Sequence, residues 1–394
     1  MEDNIRFLVA STQYTGYGGA ATVAYALIKY LRSLEYKCSG LFFNKSKCVN
    51  YDPNSLGNIY LLTYSHTSHQ KYVKNITEPA FDENAKNKIV NDMCINLGSS
   101  PNVILCIGSH SSTFCRELFA KSKIIMITSG IVYYRHNVKI SSVRNLLELL
   151  SGPTAHLYKK ASYAKQEIDD MRSSDLIVPN SDLMLDVYKS IYPEYNEKIY
   201  TRYFDTSKIV ETLDDVKFDC SIKKDIDIII ISSRLDRYEK NILFLLPILE
   251  KHSEYTKCFI GENKKQFEYL PNSIFTDLIP HNLVYNYLSR AKLLIVPSLY
   301  ESSNNAIREA LQCKCLILTS NNVGFYSLYP KFSICESYNL LEWESKMIFL
   351  LENYDSLIVD YKIDFNGSCT IKDICNNVFI KSNADIDTLE YDFI

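Results

Sequence analysis

The sequence predicts an α/β protein made of two doubly wound halves, and three observations carry that expectation. Short apolar runs alternate with helix-period segments almost throughout. The alternation stops once, in the polar stretch "VETLDDVKFDCSIKKD", and then resumes. The 394 residues also exceed what one core of ordinary size holds. A strand buried on both faces reads as an unbroken apolar run, and parallel strands need crossover helices between them, so the alternation implies parallel sheets covered by helices. Ligands of such sheets bind beyond the carboxyl ends of the strands, and two halves facing one another make a cleft.

In the first half the strand candidates are Ile5 to Ala10, Gly40 to Phe43, Val103 to Ile107, Ile124 to Ile127 and Leu176 to Val178. The stretch "AATVAYALIKYLRSLEY" places Val23, Ala26, Leu27, Tyr30, Leu31 and Leu34 at helical period. From Tyr51 to Asp92 the chain is polar and rich in Asn, Lys, Tyr and His, which reads as a looped insertion. In the second half the runs "IDIIIIS", "KCFIGE", "SIFTDLI", "KLLIVPS" and "CLILTS" are each followed by a helix or turn. The expected division is residues 1–212, then 213–355, with 356–394 as a closing segment that packs back on the first domain.

Composition excludes several classes. Hydrophobic residues at 46% and charged residues at 23% are near globular averages, against disorder or a fibrous rod. A formal net charge of -3 lacks the clustered Lys and Arg that displace counterions, so no nucleic acid partner is expected. The acidic start "MEDNIRFLVA" lacks the basic and long apolar regions of a secretory signal, and no apolar run reaches the roughly 18 residues of a membrane span, so the expected location is cytoplasmic. The twelve cysteines are scattered, which favours buried free thiols over a disulfide framework.

Three windows carry chemistry. In "LLIVPSLYESSNNAIREALQ" a buried strand ends at Pro297, and Ser302, Ser303, Asn304 and Asn305 are residue types that cap a helix. A helix starting near Asn305 offers backbone N–H groups and a positive dipole end to a phosphate. Glu309, a turn inside it, suits two vicinal hydroxyls; Glu301 stands before it at the strand's carboxyl edge. The bland alternative is a capped helix with two solvated acids. In "IIIISSRLDRYEKN" a strand delivers Arg234 and, six residues later, Lys240, a forked and a point cation suited to a diphosphate; a solvated loop balanced by Asp236 and Glu239 is the alternative. In "STQYTGYGGAATVAYAL" Gly16, Gly18 and Gly19 permit close backbone approach before a helix. The loop is too long for a dinucleotide fingerprint, the second strand ends at Asn44 without the ribose-binding acid, and no G-K-[ST] follows.

Together, a glycine loop after the first strand, an Arg…Lys pair opening the second half and Glu-x7-Glu after "PS" resemble the retaining glycosyltransferases of the GT-B fold, with two Rossmann-like domains, the group of glycogen synthase-like and bacterial polysaccharide and glycolipid enzymes. The likeness is strongest over 226–324, then over the first 43 residues; "DLIVPNSDLMLDVY" and "KIYTRYFDTSKI" add smaller echoes. The resemblance implies that the first domain serves the acceptor and the second the donor. Arg234 and Lys240 would bind the diphosphate of a UDP- or GDP-linked sugar and stabilise the leaving nucleotide. Glu309 would hold the ribose, while Glu301 and the amides around Ser303, Asn304 and Asn305 would address the transferred sugar and the phosphate. Gly18 and Gly19 would face the phosphate, and Gly261 and Ile279 would flank the base. No cofactor and no metal are expected.

The sequence departs from that family in two places. Ser233 stands where a glycine usually precedes the Arg, and Thr128, Ser129 and Gly130 stand where many members carry His-Asp. His110 and His136 are the candidate substitutes. A sugar-nucleotide-binding pseudoenzyme is therefore the alternative reading, with a nucleotide-sugar 2-epimerase behind it. The acceptor is a glycan, a glycolipid or a protein. Lys159, Lys160, Lys165 and Arg172 in one helix leave peripheral membrane contact open beside a solvated face.

Overall fold

The structure, a computed structural model, describes residues 5–11, 19–44, 58–65, 80–81, 83–108, 111–128, 162–206, 209, 222–336, 338–365 and 367–379. These fall into two compact units. Unit 1 holds the described residues up to 128, those of 162–209 and those from 367 onward; unit 2 holds 222–365.

Unit 1 is built on β1 (Arg6–Ser11), β2 (Lys37–Asn44), β3 (Ile59–Ser65), β4 (Ala80–Phe81), β5 (Val103–Ile107), β6 (Lys123–Ile127) and β7 (Leu176–Val178). Its helices are α1 (Gly19–Ser33), α2 (Glu83–Leu97), α3 (Ser111–Leu118), α4 (Ser162–Ser173) and α5 (Asp182–Ile191). The sheet runs β4-β3-β2-β1-β5-β6-β7, parallel except for the antiparallel β3–β4 pair at its edge. The interior strands are fully buried, which is why β1, β5 and β6 read as continuous apolar runs. One core cluster joins Leu8, Leu41, Leu62, Ile104 and Phe114 with Met93 and Leu97 of α2. Residues 367–379 include a helix over 371–379, and Cys369 donates its N–H to the Tyr203 carbonyl at 2.8 Å.

The looped insertion expected from Tyr51 to Asp92 is corrected here: β3 and most of α2 lie within it. Tyr60, Thr63 and Ser65 broke the apolar run because β3 is an outer strand, of which Leu62 reaches the core.

Unit 2 contains β8 (Ile226–Arg234), β9 (Lys257–Glu262), β10 (Ser273–Thr276), β11 (Ala291–Val296), β12 (Leu316–Ser320) and β13 (Ile334–Cys335). Its helices are α6 (Leu246–Lys251), α7 (His281–Arg290), α8 (Asn305–Gln312), α9 (Leu340–Glu352) and α10 (Tyr354–Leu357). The sheet order is β10-β9-β8-β11-β12-β13, all parallel. Ile228, Ile230, Leu293, Ile295, Leu316 and Leu318 pack on one face against Trp343, Met347 and Leu350 of α9 and the apolar side of α6. The "SIFTDLI" run is shorter as a strand than it reads, because pairing with β9 ends at Thr276 and Asp277 is exposed.

Both units thus wind outward from a central strand, β1 or β8, first to one side and then to the other. This is the expected pair of doubly wound α/β units. The described cysteines are free thiols, and all except Cys94 are buried.

Candidate active site

The winding of unit 2 reverses between β8 and β11, so loops leaving the carboxyl ends of these neighbours depart in opposite directions and open a crevice. Pairing between β8 and β11 runs from Ile226↔Ala291 to Ile229↔Leu294 and then ceases. β8 continues alone against β9, through an irregularity between Ile231 and Arg234, to a last pair at Arg234↔Glu262. Both sequence-predicted motifs of the second half leave from this edge: the Arg…Lys loop from β8 and the Glu-x7-Glu segment from β11.

The two loops are tied together. Leu299 donates its N–H to the Glu239 carbonyl at 2.8 Å, and the Lys240 ammonium forms an ion pair with Oε2 of Glu301. Both side chains are about four-fifths buried, with 20% and 19% of their area exposed. The main chain of Glu301 is fixed on both sides. Its N–H bonds the Asn322 carbonyl at 3.0 Å, and its carbonyl accepts from Gly324 N–H at 2.8 Å, forming a short parallel bridge between Glu301 and Val323. Ser320 Oγ reaches the Ser298 carbonyl beneath it.

Helix α8 begins at Asn305 as expected, after the extended residue Asn304. Asn304 makes no side-chain capping hydrogen bond. Ser303, Asn304 and Asn305 are half-buried. Glu309 lies in the second turn with 6% of its area exposed, so it is a sheltered carboxylate and not the solvated acid of the bland alternative.

Arg234 is more exposed. Its guanidinium grips Asp236 side-on, Nε to Oδ1 at 3.2 Å and Nη2 to Oδ2 at 2.9 Å, while Asn263 donates to Oδ1 at 3.0 Å. The carboxylate raises the Arg234 pKa, and the guanidinium, with help from Asn263, holds the Asp236 carboxyl below its ordinary range. The fork expected to meet a diphosphate therefore already holds an anion of its own chain.

Gly261 has φ +146, and a Cβ there would lie 1.8 Å from the Ser232 carbonyl oxygen. The residue is glycine because β8 and β9 approach too closely for any side chain, a reason independent of any base. Ile279, half-buried, sits on the loop between β10 and α7. Ser233 is exposed and continues β8, so it does not break the strand where a glycine was expected.

In unit 1, Gly19 is the first residue of α1. Gly16, Gly18, His110, Ser129, Gly130 and His136 lie outside the described residues. Thr128 is buried, and its hydroxyl accepts the N–H of Asn180 at 3.2 Å. Among the described residues no group of three or more His, Cys, Asp or Glu could hold a metal, and no helix is long and apolar enough to cross a membrane. What sequence reasoning missed is the 322–324 segment that fixes Glu301, a main-chain contact with no sequence signal.

Comparison with known proteins gives the same picture. The profile of the family Glycosyl transferases group 1 matches residues 226–353. No curated protein sequence matches the chain significantly. Among solved structures, a sucrose-phosphate synthase from Thermosynechococcus elongatus is 13% identical with a TM-score of 0.58, over 90% of this chain and 95% of that one. A glycosyltransferase from Rickettsia africae is 12% identical with a TM-score of 0.55, over 97% of this chain and 98% of that one. HepE from Anabaena, solved in complex with UDP and glucose, is 12% identical with a TM-score of 0.53, over 98% of this chain and 99% of that one. The chain therefore has the GT-B fold, and the profile of Glycosyl transferases group 1 matches its residues 226–353, which hold every second-half motif.

Proposed function

We propose that this protein is a retaining glycosyltransferase that takes its sugar from a nucleotide-diphosphate sugar, UDP- or GDP-linked. The observation that carries the reading is the gathering of Arg234, Lys240, Glu301, the N-terminus of α8 and Glu309 at one switch-point edge of unit 2. The UDP and glucose held by HepE are consistent with it.

In this reading the donor diphosphate enters the crevice as a competing anion. It takes Arg234 from Asp236 and Lys240 from Glu301, and the α8 N-terminus adds its dipole. Glu309 accepts from the ribose hydroxyls. Glu301, released from Lys240, turns to the hydroxyls of the sugar. The bond from the anomeric carbon to the phosphate oxygen then breaks, and Arg234 and Lys240 stabilise the charge growing on the leaving diphosphate. The acceptor oxygen bonds the same face of the sugar and its proton passes to a departing phosphate oxygen, so no base from the chain is needed. Arg234 and Lys240 supply the positive charge, and the reading assigns no step to a metal.

A thermal-shift panel of nucleotides and nucleotide sugars, with and without divalent metal, tests this together with donor hydrolysis. At a hundredfold excess over Kd one donor should stabilise the fold by about 2.7 kcal/mol. Released sugar should keep the donor's anomeric configuration when followed by NMR. A protein that ignores every nucleotide sugar would refute the reading. Binding without hydrolysis or transfer across an acceptor panel would favour the pseudoenzyme, the reading motivated by Thr128 in place of an imidazole. An epimerised nucleotide sugar would mark the 2-epimerase.

A further inference from the structure

Helix α8 carries, just before Glu309, an arginine with no part in the chemistry above. Arg308 is 7% exposed, an unusual burial for a guanidinium. Its head group lies over the Phe365 ring at 3.6 Å from the centroid, with Phe325 at 5.5 Å. The two rings meet edge to face at 5.6 Å, and Tyr329 packs against the Phe365 ring with centroids 6.4 Å apart. Three segments distant in sequence are thus gathered on one planar cation: α8, the loop after β12, and the stretch beyond α10 that carries Phe365.

Phe325 is the informative member. It has φ +68, a left-handed conformation that is rare for a bulky side chain and that persists only where surroundings enforce it. It is 2% exposed. The residues before it, Asn322 to Gly324, hold the main chain of Glu301 through the 3.0 and 2.8 Å bonds already described. Tyr329 reinforces that segment by donating its hydroxyl to the Gly324 carbonyl at 3.0 Å. A continuous path of contacts therefore leads from Arg308 through Phe325 to Glu301.

We propose that Arg308 is a positioning residue: held between Phe325 and Phe365, it keeps the 322–325 loop in its left-handed turn and thereby sets where Glu301 meets the transferred sugar. The role of Glu301 toward the sugar rests on the function proposed above; the mechanical link from Arg308 to Glu301 does not. Arg308 touches neither phosphate nor sugar. A lysine there would keep the cation over the ring but lose the planar face.

The test uses the full chain as Arg308→Met, Arg308→Lys and Phe365→Leu, the last because it removes the stacked ring while leaving the sequence of α8 and of the loop unchanged. Amide hydrogen exchange is followed in peptides containing Glu301 and Gly324, with β9 as internal reference. In the Met and Leu variants exchange at those amides should quicken about tenfold while β9 stays unchanged. Donor hydrolysis should lose about tenfold in kcat, while UDP or GDP alone binds within about twofold of the parent, since the phosphate grip is separate. Lys should recover part of both. Unchanged exchange at Glu301 and Gly324 in both the Met and the Leu variants would overturn the proposal. So would equal losses of kcat and of nucleoside-diphosphate binding, which mark general damage. Should the parent ignore all sugar nucleotides, the functional reading fails on the parent alone, and the exchange result still decides the role of Arg308.

Discussion

Gly261→Ala is the perturbation whose size the structure fixes most directly. The added methyl would lie 1.8 Å from the Ser232 carbonyl oxygen and 3.0 Å from its carbon. The obstacle is main chain, so no rotamer change relieves it, and ordinary contact begins only near 3.4 Å. β8 and β9 would have to part by about 1.6 Å in an interior packed as densely as an organic crystal. Left-handed strain at φ +146 adds about 1–3 kcal/mol and overpacking about 1–3 kcal/mol more. The 2.9 Å bond from Leu235 N–H to the Glu262 carbonyl, just beyond the clash, would be lost for about 1 kcal/mol. A total of about 3–7 kcal/mol is expected. The chain has a single tryptophan, Trp343, 1% exposed in the unit 2 core, so its fluorescence reports unfolding of this unit. With a urea slope of roughly 2 kcal/mol per molar, the midpoint should fall by about 1.5–3.5 M. A Gly261→Ala protein whose Trp343 transition stays within about 0.3 M of the parent would refute the close-approach explanation of this glycine.

The remaining predictions concern charge. Lys240→Ala should keep the fold yet lose about a hundredfold or more in donor hydrolysis, because the diphosphate loses a sheltered cation; full activity in a folded variant would remove Lys240 from the site. Asp236→Asn should raise affinity for UDP or GDP by up to about fivefold, as expected for freeing Arg234 from an exposed ion pair, measured by calorimetric titration. Arg290 bonds both oxygens of Asp225 at 2.8 and 2.7 Å and holds that carboxyl below its ordinary value. A carboxyl lowered in the folded state adds stability that is present above the unfolded pKa of about 3.9 and is lost as pH falls through the lower folded one. Arg290→Met should therefore flatten the acid limb of stability below about pH 4, followed by Trp343 fluorescence.

Much of this architecture was legible because burial writes itself into sequence. Ile228 to Ile231 announced a central strand, and the Ser-Ser-Asn-Asn run announced the start of α8 to the residue. The polar strand β3, next to the edge, was not legible, since Tyr60 and Thr63 are compatible with a loop until a partner strand is known. In the site, residue types and their order were readable, but their mutual contacts were not. Lys240 and Glu301 are 61 residues apart, and nothing local says that they neutralise each other. Asp236 was visible only as a balancing charge, whereas the structure makes it the occupant of the Arg234 fork. Gly261 was legible as a strand-end glycine, but its close approach to the Ser232 carbonyl was not.

The bridge that fastens Glu301 to Asn322 and Gly324 uses peptide atoms alone. Proline at position 301 or 324 would remove one of its two N–H donors and open the rung. The support beneath the carboxylate thus comes from peptide shape at the rung itself, and from particular side chains only in the ring contacts that hold the turn behind it.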